Sequence, residues 1–338
     1  MDKEKSIVVQ YHFVRNMHET PYPGIKGRLV DDFIGQVGYL CRYHQPLWMR
    51  DFIRYFAGEC DLPKNGFYLT FDDGIRDHYE TVLPVLERHG LEAAFFPILE
   101  PLVHGRVSSV DKFRFLTYLL DFDIIYDEFF ETLTGLFPDS DVSRWKFNEQ
   151  KGAGRRWTQF DPPKLGHLKI VANREMPLKM RDAALDALFS KHFGPDADFI
   201  QELYVTWEEI IELYSAGMVI GGHTVTHPWL PRLSSEEQAA EIYASLLLLE
   251  EKLNTKIKLF SYPYGGYNED TLRLLRHREC DLAFTSKAGI ICYRDKPLEI
   301  DRLDTNDLPL STHTEPNGWS QEVGTKICTL YPGGQDDI

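Results

Sequence analysis

The chain reads as an α/β protein built on a parallel sheet, and three observations lead there. Seven short runs rich in β-branched and aromatic residues recur at 6–11, 67–71, 92–98, 218–222, 258–262, 282–286 and 298–303. Segments with apolar residues at helical spacing lie between several of them. The alternation is interrupted once, over residues 103–204, by a stretch with helical patterns of its own. Strands that alternate with helices are joined by crossovers, and crossovers give parallel pairing.

Taken in order, the first run ends at Tyr11 and leads into His12, and the second ends at Phe71 and leads into Asp72-Asp73-Gly74. Tyr79, Val82, Val85 and Leu86 then share one helical face before the third run. Within 103–204, Phe113, Leu116, Leu119 and Leu120 mark one helix and residues 183–193 another, with a Gly/Arg/Lys-rich middle. An insertion between the third and fourth strands lies over the carboxyl ends of the sheet, so it is either a lid or a packing embellishment. The fourth run leads into His223 and His227. Ser234 with Glu237 three residues on forms a capping box, which starts a helix carrying Ala239, Ile242, Leu246, Leu249 and Leu253. The fifth run is followed by Pro263-Tyr264-Gly265, and the sixth and seventh complete the sheet. The expected division is a sheet-bearing part at 1–102 and 205–310, an insertion at 103–204 and a polar tail at 311–338.

Composition bounds the function. The chain has 338 residues, with 37 Lys+Arg against 52 Asp+Glu, a formal charge of −15. At about 150 residues per domain this is two domains, or one barrel with a large insertion. With a pI near 5.3 and no basic run, nucleic acid and anionic membrane surfaces are excluded as main partners. Cys41, Cys60, Cys280, Cys292 and Cys328 are odd in number and include no C-x-x-C pair, which reads as free thiols in a reducing compartment. The start of the sequence is charged, and Ile7 to Val9 is too short an apolar run for a signal peptide or a spanning helix. The expectation is a cytoplasmic protein without integral membrane contact.

The chemistry-bearing residues cluster just after strands: His12, Asp72-Asp73, His223 with His227, and Tyr264. In a parallel barrel these positions converge on one face. Two imidazoles and a carboxylate without cysteine match a divalent metal site, with zinc the expected ion and an open position for water and substrate. Asp73, His223 and His227 are the ligand set. Asp72, its neighbour, cannot point the same way along extended backbone and is left as general base. Alone, Asp-Asp-Gly would be a turn and His-x-x-x-His a pair of structural histidines; both directly following strands favour the site. His18, His44, His89, His104, His167, His192 and His277 are read as structural.

These residues carry a family resemblance. Tyr68-Leu69-Thr70-Phe71-Asp72-Asp73-Gly74, Gly222-His223-Thr224-Val225-Thr226-His227-Pro228 and Ser261-Tyr262-Pro263-Tyr264-Gly265 resemble the first three motifs of polysaccharide deacetylases, the NodB-homology group or carbohydrate esterase family 4. The opening Tyr11-His12-Phe13-Val14 and Leu62-Pro63 are similar to the branch acting on poly-N-acetylglucosamine. The resemblance implies a distorted (β/α)7 barrel, Asp72 as base, and Asp73, His223 and His227 around the metal. It also implies that the backbone N–H of Tyr264 stabilises the oxyanion.

The departures are specific. The family's third motif often begins with an arginine that orients the base; here Ser261 stands there, and Arg302 on the last strand either supplies that charge or forms a structural ion pair. No Asp-Trp fourth motif is found. The fifth motif is Leu-x-His, whereas Leu310-Ser311-Thr312-His313 is one residue longer. His313 and His12 are the candidates for the acid that protonates the leaving nitrogen. Tyr118, Trp145 and Trp157 are candidates to stack on sugar, set against a role in the core. The expected function is metal-dependent hydrolysis of an N-acetyl group on an amino sugar or glycan precursor, in surface-glycan biosynthesis. The alternatives are an O-acetyl or N-formyl sugar hydrolase and a noncatalytic carbohydrate-binding barrel.

Overall fold

A computed structural model describes residues 6–16, 20, 22, 24–152, 161–291, 294 and 296–313. The strands are β1 (Ile7–Tyr11), β2 (Gln45–Pro46), β3 (Gly66–Asp73), β4 (Ala93–Pro97), β5 (Val219–Ile220), β6 (Leu259–Ser261), β7 (Leu282–Ala288) and β8 (Ile300–Asp304). All seven runs expected from the sequence are strands, and the two-residue β2 is an addition too short to show a pattern. Seven strands follow one another in the order β5-β4-β3-β1-β8-β7-β6, and β2 lies beside the amino end of β3. Every pairing is parallel. Gly222, just beyond β5, forms a parallel bridge with Phe260 of β6. The two ends of the sheet thus meet, and the architecture is a nearly closed, distorted (β/α)7 barrel.

Alternation along the strands sorts side chains into two layers. Val8, Tyr68, Ala94, Phe96, Leu259 and Phe284 pack together inside the barrel. Val9, Tyr11, Leu69, Phe71, Phe95 and Phe260 pack outward against the helices. The helix Ser235–Leu253 begins as its sequence predicts, since Ser234 Oγ accepts from Glu237 N at 3.2 Å while Glu237 accepts from Ser234 N at 2.8 Å. Its Ile242, Leu246, Leu249 and Leu253 are buried on the barrel.

Between β4 and β5 the chain runs through the helices Ser109–Leu119, Phe122–Leu136, Pro163–Ile170, Leu178–Phe193 and Ala197–Leu203, among others. This segment has an apolar cluster of its own, including Leu116, Phe129, Leu133, Leu168, Leu185 and Leu188. Trp145 is buried in that cluster, which makes it core rather than a sugar platform. Trp157, His18 and the tail from residue 314 lie outside the described residues. Cys41, Cys60 and Cys280 are free thiols. Among the described residues, no helix is long and apolar enough to cross a membrane.

Candidate active site

The carboxyl ends of the strands carry a polar layer on top of the apolar barrel interior. Counting inward positions by twos, Val8 leads to Gln10, Tyr68 to Thr70 and Asp72, Leu259 to Ser261, and Ile300 to Arg302. These side chains converge on Asp72. Its Oδ1 accepts from Arg302 Nη1 at 3.0 Å, and its Oδ2 accepts from Arg302 Nη2 at 2.8 Å, Gln10 Nε2 at 2.9 Å and Ser261 Oγ at 3.2 Å. Arg302 is itself fixed, donating from Nε to the Thr285 carbonyl at 2.7 Å and from Nη1 to Thr70 Oγ1 at 3.1 Å. Burial raises the Asp72 pKa, but Arg302 foremost, together with His223, outweighs it and holds the carboxyl below its ordinary value. Asp72 is therefore an ionised, immobilised acceptor at neutral pH.

Loss of that partner has a signed consequence. Arg302→Met leaves a buried carboxylate unpaired, which is expected to destabilise the fold by about 3–5 kcal/mol in chemical denaturation. Because the arginine is the main influence lowering the Asp72 pKa, its removal lets burial raise it, and the acid limb of a pH–rate profile moves to higher pH. An acid limb that stays where it was would show that Arg302 does not set the charge of Asp72.

Asp73 leaves the strand. Its φ is +76° and that of Gly74 is +70°, a left-handed pair that turns the chain over the end of β4. A Cβ on Gly74 would stand 2.7 Å from Pro97 Cβ, so the turn needs glycine there. The two aspartates are thus separated by this turn and not by extended alternation alone. Asp73 Oδ1 lies 3.4 Å from His223 Nε2 and 3.6 Å from His227 Nε2. The three ligand atoms fall within 4.8 Å of one another, and all three residues are buried.

The histidine loop is built to present imidazoles. Thr224 and His227 have φ of +65° and +56°. Glu241, on the helix Ser235–Leu253, accepts from Val225 N at 2.9 Å, Thr226 N at 3.0 Å and Thr226 Oγ1 at 2.6 Å. His223 Nδ1 sits 2.7 Å from the Ser261 carbonyl, which only accepts. That nitrogen carries a proton, and Nε2 is the ring atom turned to Asp73. Burial pushes the His227 pKa well below the ordinary value against the opposing pull of Asp73, so the imidazole is neutral. Asp73 Oδ1 is buried without a hydrogen-bond partner among the described residues. An orphaned carboxylate oxygen facing the Nε2 atoms of two imidazoles fits a divalent cation, because such a cation is what satisfies all three ligand atoms together.

Three residues here escaped the sequence reading. Arg114, on the helix Ser109–Leu119, donates from Nη1 to Asp73 Oδ2 at 2.8 Å and to Asp111 Oδ1 at 2.7 Å. The arginine engages one oxygen of Asp73 and leaves the other toward the histidines. Gln10 fixes Asp72, as described. His78 is buried with Nε2 3.0 Å from the His12 carbonyl, and burial pushes its pKa down to about 4. A neutral His78 donating to that carbonyl anchors the backbone of His12.

The remaining candidates separate clearly. His12 Nε2 is 4.0 Å from Asp73 Oδ2 and the side chain is 33% exposed, placing it at the mouth of the site. Tyr264 has φ of +55°, and its ring lies edge-on to His227 with centroids 4.5 Å apart. Burial above all raises the Tyr264 pKa to about 12, so it is a neutral phenol. His313 is not brought to the site. Its exposed ring has Nδ1 3.5 Å from Arg42 Nη1, in the last turn of the helix Val30–Tyr43. That helix end leads into β2 at the amino end of β3, opposite Asp72 and Asp73. Leu310-Ser311-Thr312-His313 thus lies away from Asp72 and Asp73.

Comparison with known proteins bears on the family and the fold. The family model described as polysaccharide deacetylase matches residues 60–106 and 120–282. A Bacillus subtilis (strain 168) protein carrying a polysaccharide deacetylase designation, YxkH, is 29% identical over 86 residues, covering 25% of this chain and 31% of its own length. The chain therefore spans under a third of that curated relative. The Streptococcus pyogenes deacetylase PplD, solved with acetate, superposes with a TM-score of 0.54 at 17% identity, over 96% of this chain and 99% of its own. IcaB from Ammonifex degensii gives a TM-score of 0.54 at 19% identity, over 95% and 96%. At such identities the structural likeness speaks to fold.

Proposed function

The chain belongs to the polysaccharide deacetylase family, and from that premise we propose that it is a divalent-metal-dependent hydrolase removing the N-acetyl group from an amino sugar on a glycan or glycan precursor. The carrying observation is the pairing of two aspartates with opposite fittings. Asp72 is held by Arg302, Gln10 and Ser261, with Oδ1 accepting from Arg302 alone and keeping a lone pair for a proton, while Asp73 keeps an oxygen that is buried and unpartnered among the described residues, toward His223 and His227. The first arrangement suits a base and the second a ligand.

Asp73, His223 and His227 would hold the metal, with zinc the expected ion from the nitrogen-rich donor set. A bound divalent cation supplies Lewis acidity, polarising the acetyl carbonyl and making water a stronger acid and nucleophile. Asp72, ionised and immobile, takes the proton from the attacking water. The backbone N–H of Tyr264 stabilises the charge that develops on the carbonyl oxygen. His12, at the mouth beside Asp73, gives the proton that the leaving nitrogen requires. An amine is a poor leaving group unless protonated, so this last role matters most for an amide.

Metal-loaded protein and protein stripped with a chelator, assayed for acetate or formate release on N-acetyl, O-acetyl and N-formyl sugars, provide the direct test. Release of acetate from N-acetyl sugars by the loaded form alone is the expected result. No release from any substrate would favour a carbohydrate-binding barrel.

The acid assignment has its own test. His12→Gln is expected to lower amide turnover by about 10²–10⁴-fold, with a smaller loss on esters. His313→Gln, at the far end of the barrel, is expected to leave both rates within about twofold of the parent, since surface changes away from a site rarely matter. The reverse pattern would restore His313 as the acid.

A further inference from the structure

A cavity of about 210 Å³ lies between Tyr264 and the helical segment that follows β4, lined by Val110, Phe113, Arg114, Tyr118, Lys169 and Tyr264, with Asn173 at one side. It adjoins the reaction centre through Arg114, whose Nη1 is 2.8 Å from the carboxylate of Asp73. The chain as a whole carries −15, yet among the described residues no Asp or Glu lines this space.

The wall offers donors. Among the described residues Arg114 uses Nη1 for Asp73 and Asp111, leaving Nη2 and Nε available. Lys169 Nζ meets Asp161 at 2.8 Å and Tyr118 Oη at 3.2 Å, with three protons to give. More positive charge stands behind. Lys26 Nζ is 5.1 Å from the centroid of the Tyr118 ring. Asn173 receives Arg181 Nη1 on its side chain at 3.1 Å and Arg232 Nη1 on its carbonyl at 3.0 Å. The carboxylates nearest these cations lie off the lining: Asp73 and Asp111 pair with Arg114, Asp161 with Lys169 and Asp182 with Arg181. Neutral sugar hydroxyls both donate and accept, and sites for them commonly supply carboxylate acceptors as well. A lining of guanidinium and ammonium without carboxylate suits a group that only accepts.

We propose that this cavity is a subsite for an oxyanion, a carboxylate or phosphate carried by the acetylated sugar next to the scissile amide. The inference rests on the deacetylase reading and adds the substrate class to it: an anionic amino sugar or a phosphate-linked precursor, held with one end on Lys169 and Arg114 and its acetamido group toward Asp72 and Asp73. Tyr118 and Tyr264, both in the lining, offer aromatic surface to the ring.

The test compares N-acetylglucosamine 1-phosphate, N-acetylmuramic acid and neutral N-acetylglucosamine for calorimetric binding and acetate release. The parent protein is expected to bind at least one anionic sugar about tenfold more tightly than the neutral one. Preference for the phosphate identifies a phosphate-linked source, and preference for the muramic acid a carboxylate. Lys169→Met is expected to erase the preference and Lys169→Arg to retain it. Equal binding of all three sugars by the parent overturns the subsite, a result that needs no variant to fold. A preference that survives in Lys169→Met overturns the assignment of Lys169. Tight anionic binding with no acetate released from any sugar keeps the subsite and sinks the deacetylase reading; equal turnover of all three does the opposite.

Discussion

Asp72→Asn is expected to lower turnover by about 10²–10⁴-fold while leaving bound metal near one equivalent. The carboxylate oxygens of Asp72 are occupied by Arg302, Gln10 and Ser261, so the amide removes a proton acceptor without removing a metal ligand. The substitution also faces an NH₂ group toward donors. Arg302, Gln10 and Ser261 all give hydrogens to this side chain, and an amide nitrogen cannot accept them. Some stability is therefore lost, and activity has to be read on protein shown to be folded. Elemental analysis together with acetate release separates the two roles. Metal lost from Asp72→Asn would place Asp72 in the ligand set and undo the division of labour between the aspartates.

The second large effect belongs to the imidazoles. His223→Ala and His227→Ala are each expected to weaken metal binding by more than the 10–100-fold typical of losing an outer-shell partner, and to abolish activity with it. Thermal unfolding gives a readout that does not depend on turnover. For the parent, metal at about 100 times its dissociation constant adds about 2.7 kcal/mol of stability, and a chelator removes it. Either alanine variant is expected to unfold at the same temperature with metal or chelator. A metal-dependent rise in melting temperature that persists in both variants would show that the cation binds elsewhere.

Much of this architecture is legible in the sequence because strand alternation is a short-range property. The seven runs, the capping box at Ser234 and the convergence of Asp72, Asp73, His223 and His227 all follow from local patterns and from the parallel sheet they imply. Arg302 was readable as a partner for the base, and inward parity from Ile300 explains why it reaches Asp72. The same parity from Val8 would have found Gln10. Arg114 was not legible, since nothing in a helix sequence says where that helix docks, and its contact with Asp73 spans 41 residues. The place of His313 beside Arg42 was not legible for the complementary reason: spacing along a chain does not record which end of a barrel the chain has reached.

Among the described residues, four of the seven non-glycine residues with positive φ are Asp73, Thr224, His227 and Tyr264, all at the reaction centre; two of the other three are asparagines, Asn65 and Asn254. A β-branched threonine in that region is a genuine outlier, and each such residue costs on the order of 1–3 kcal/mol. Chain comfort alone would install glycine or asparagine at these four places. Selection for durability and selection for turnover therefore pull on the same positions in opposite directions. In a descendant that no longer performs chemistry, these four are where relaxation would first leave its mark, well before the barrel beneath them changed.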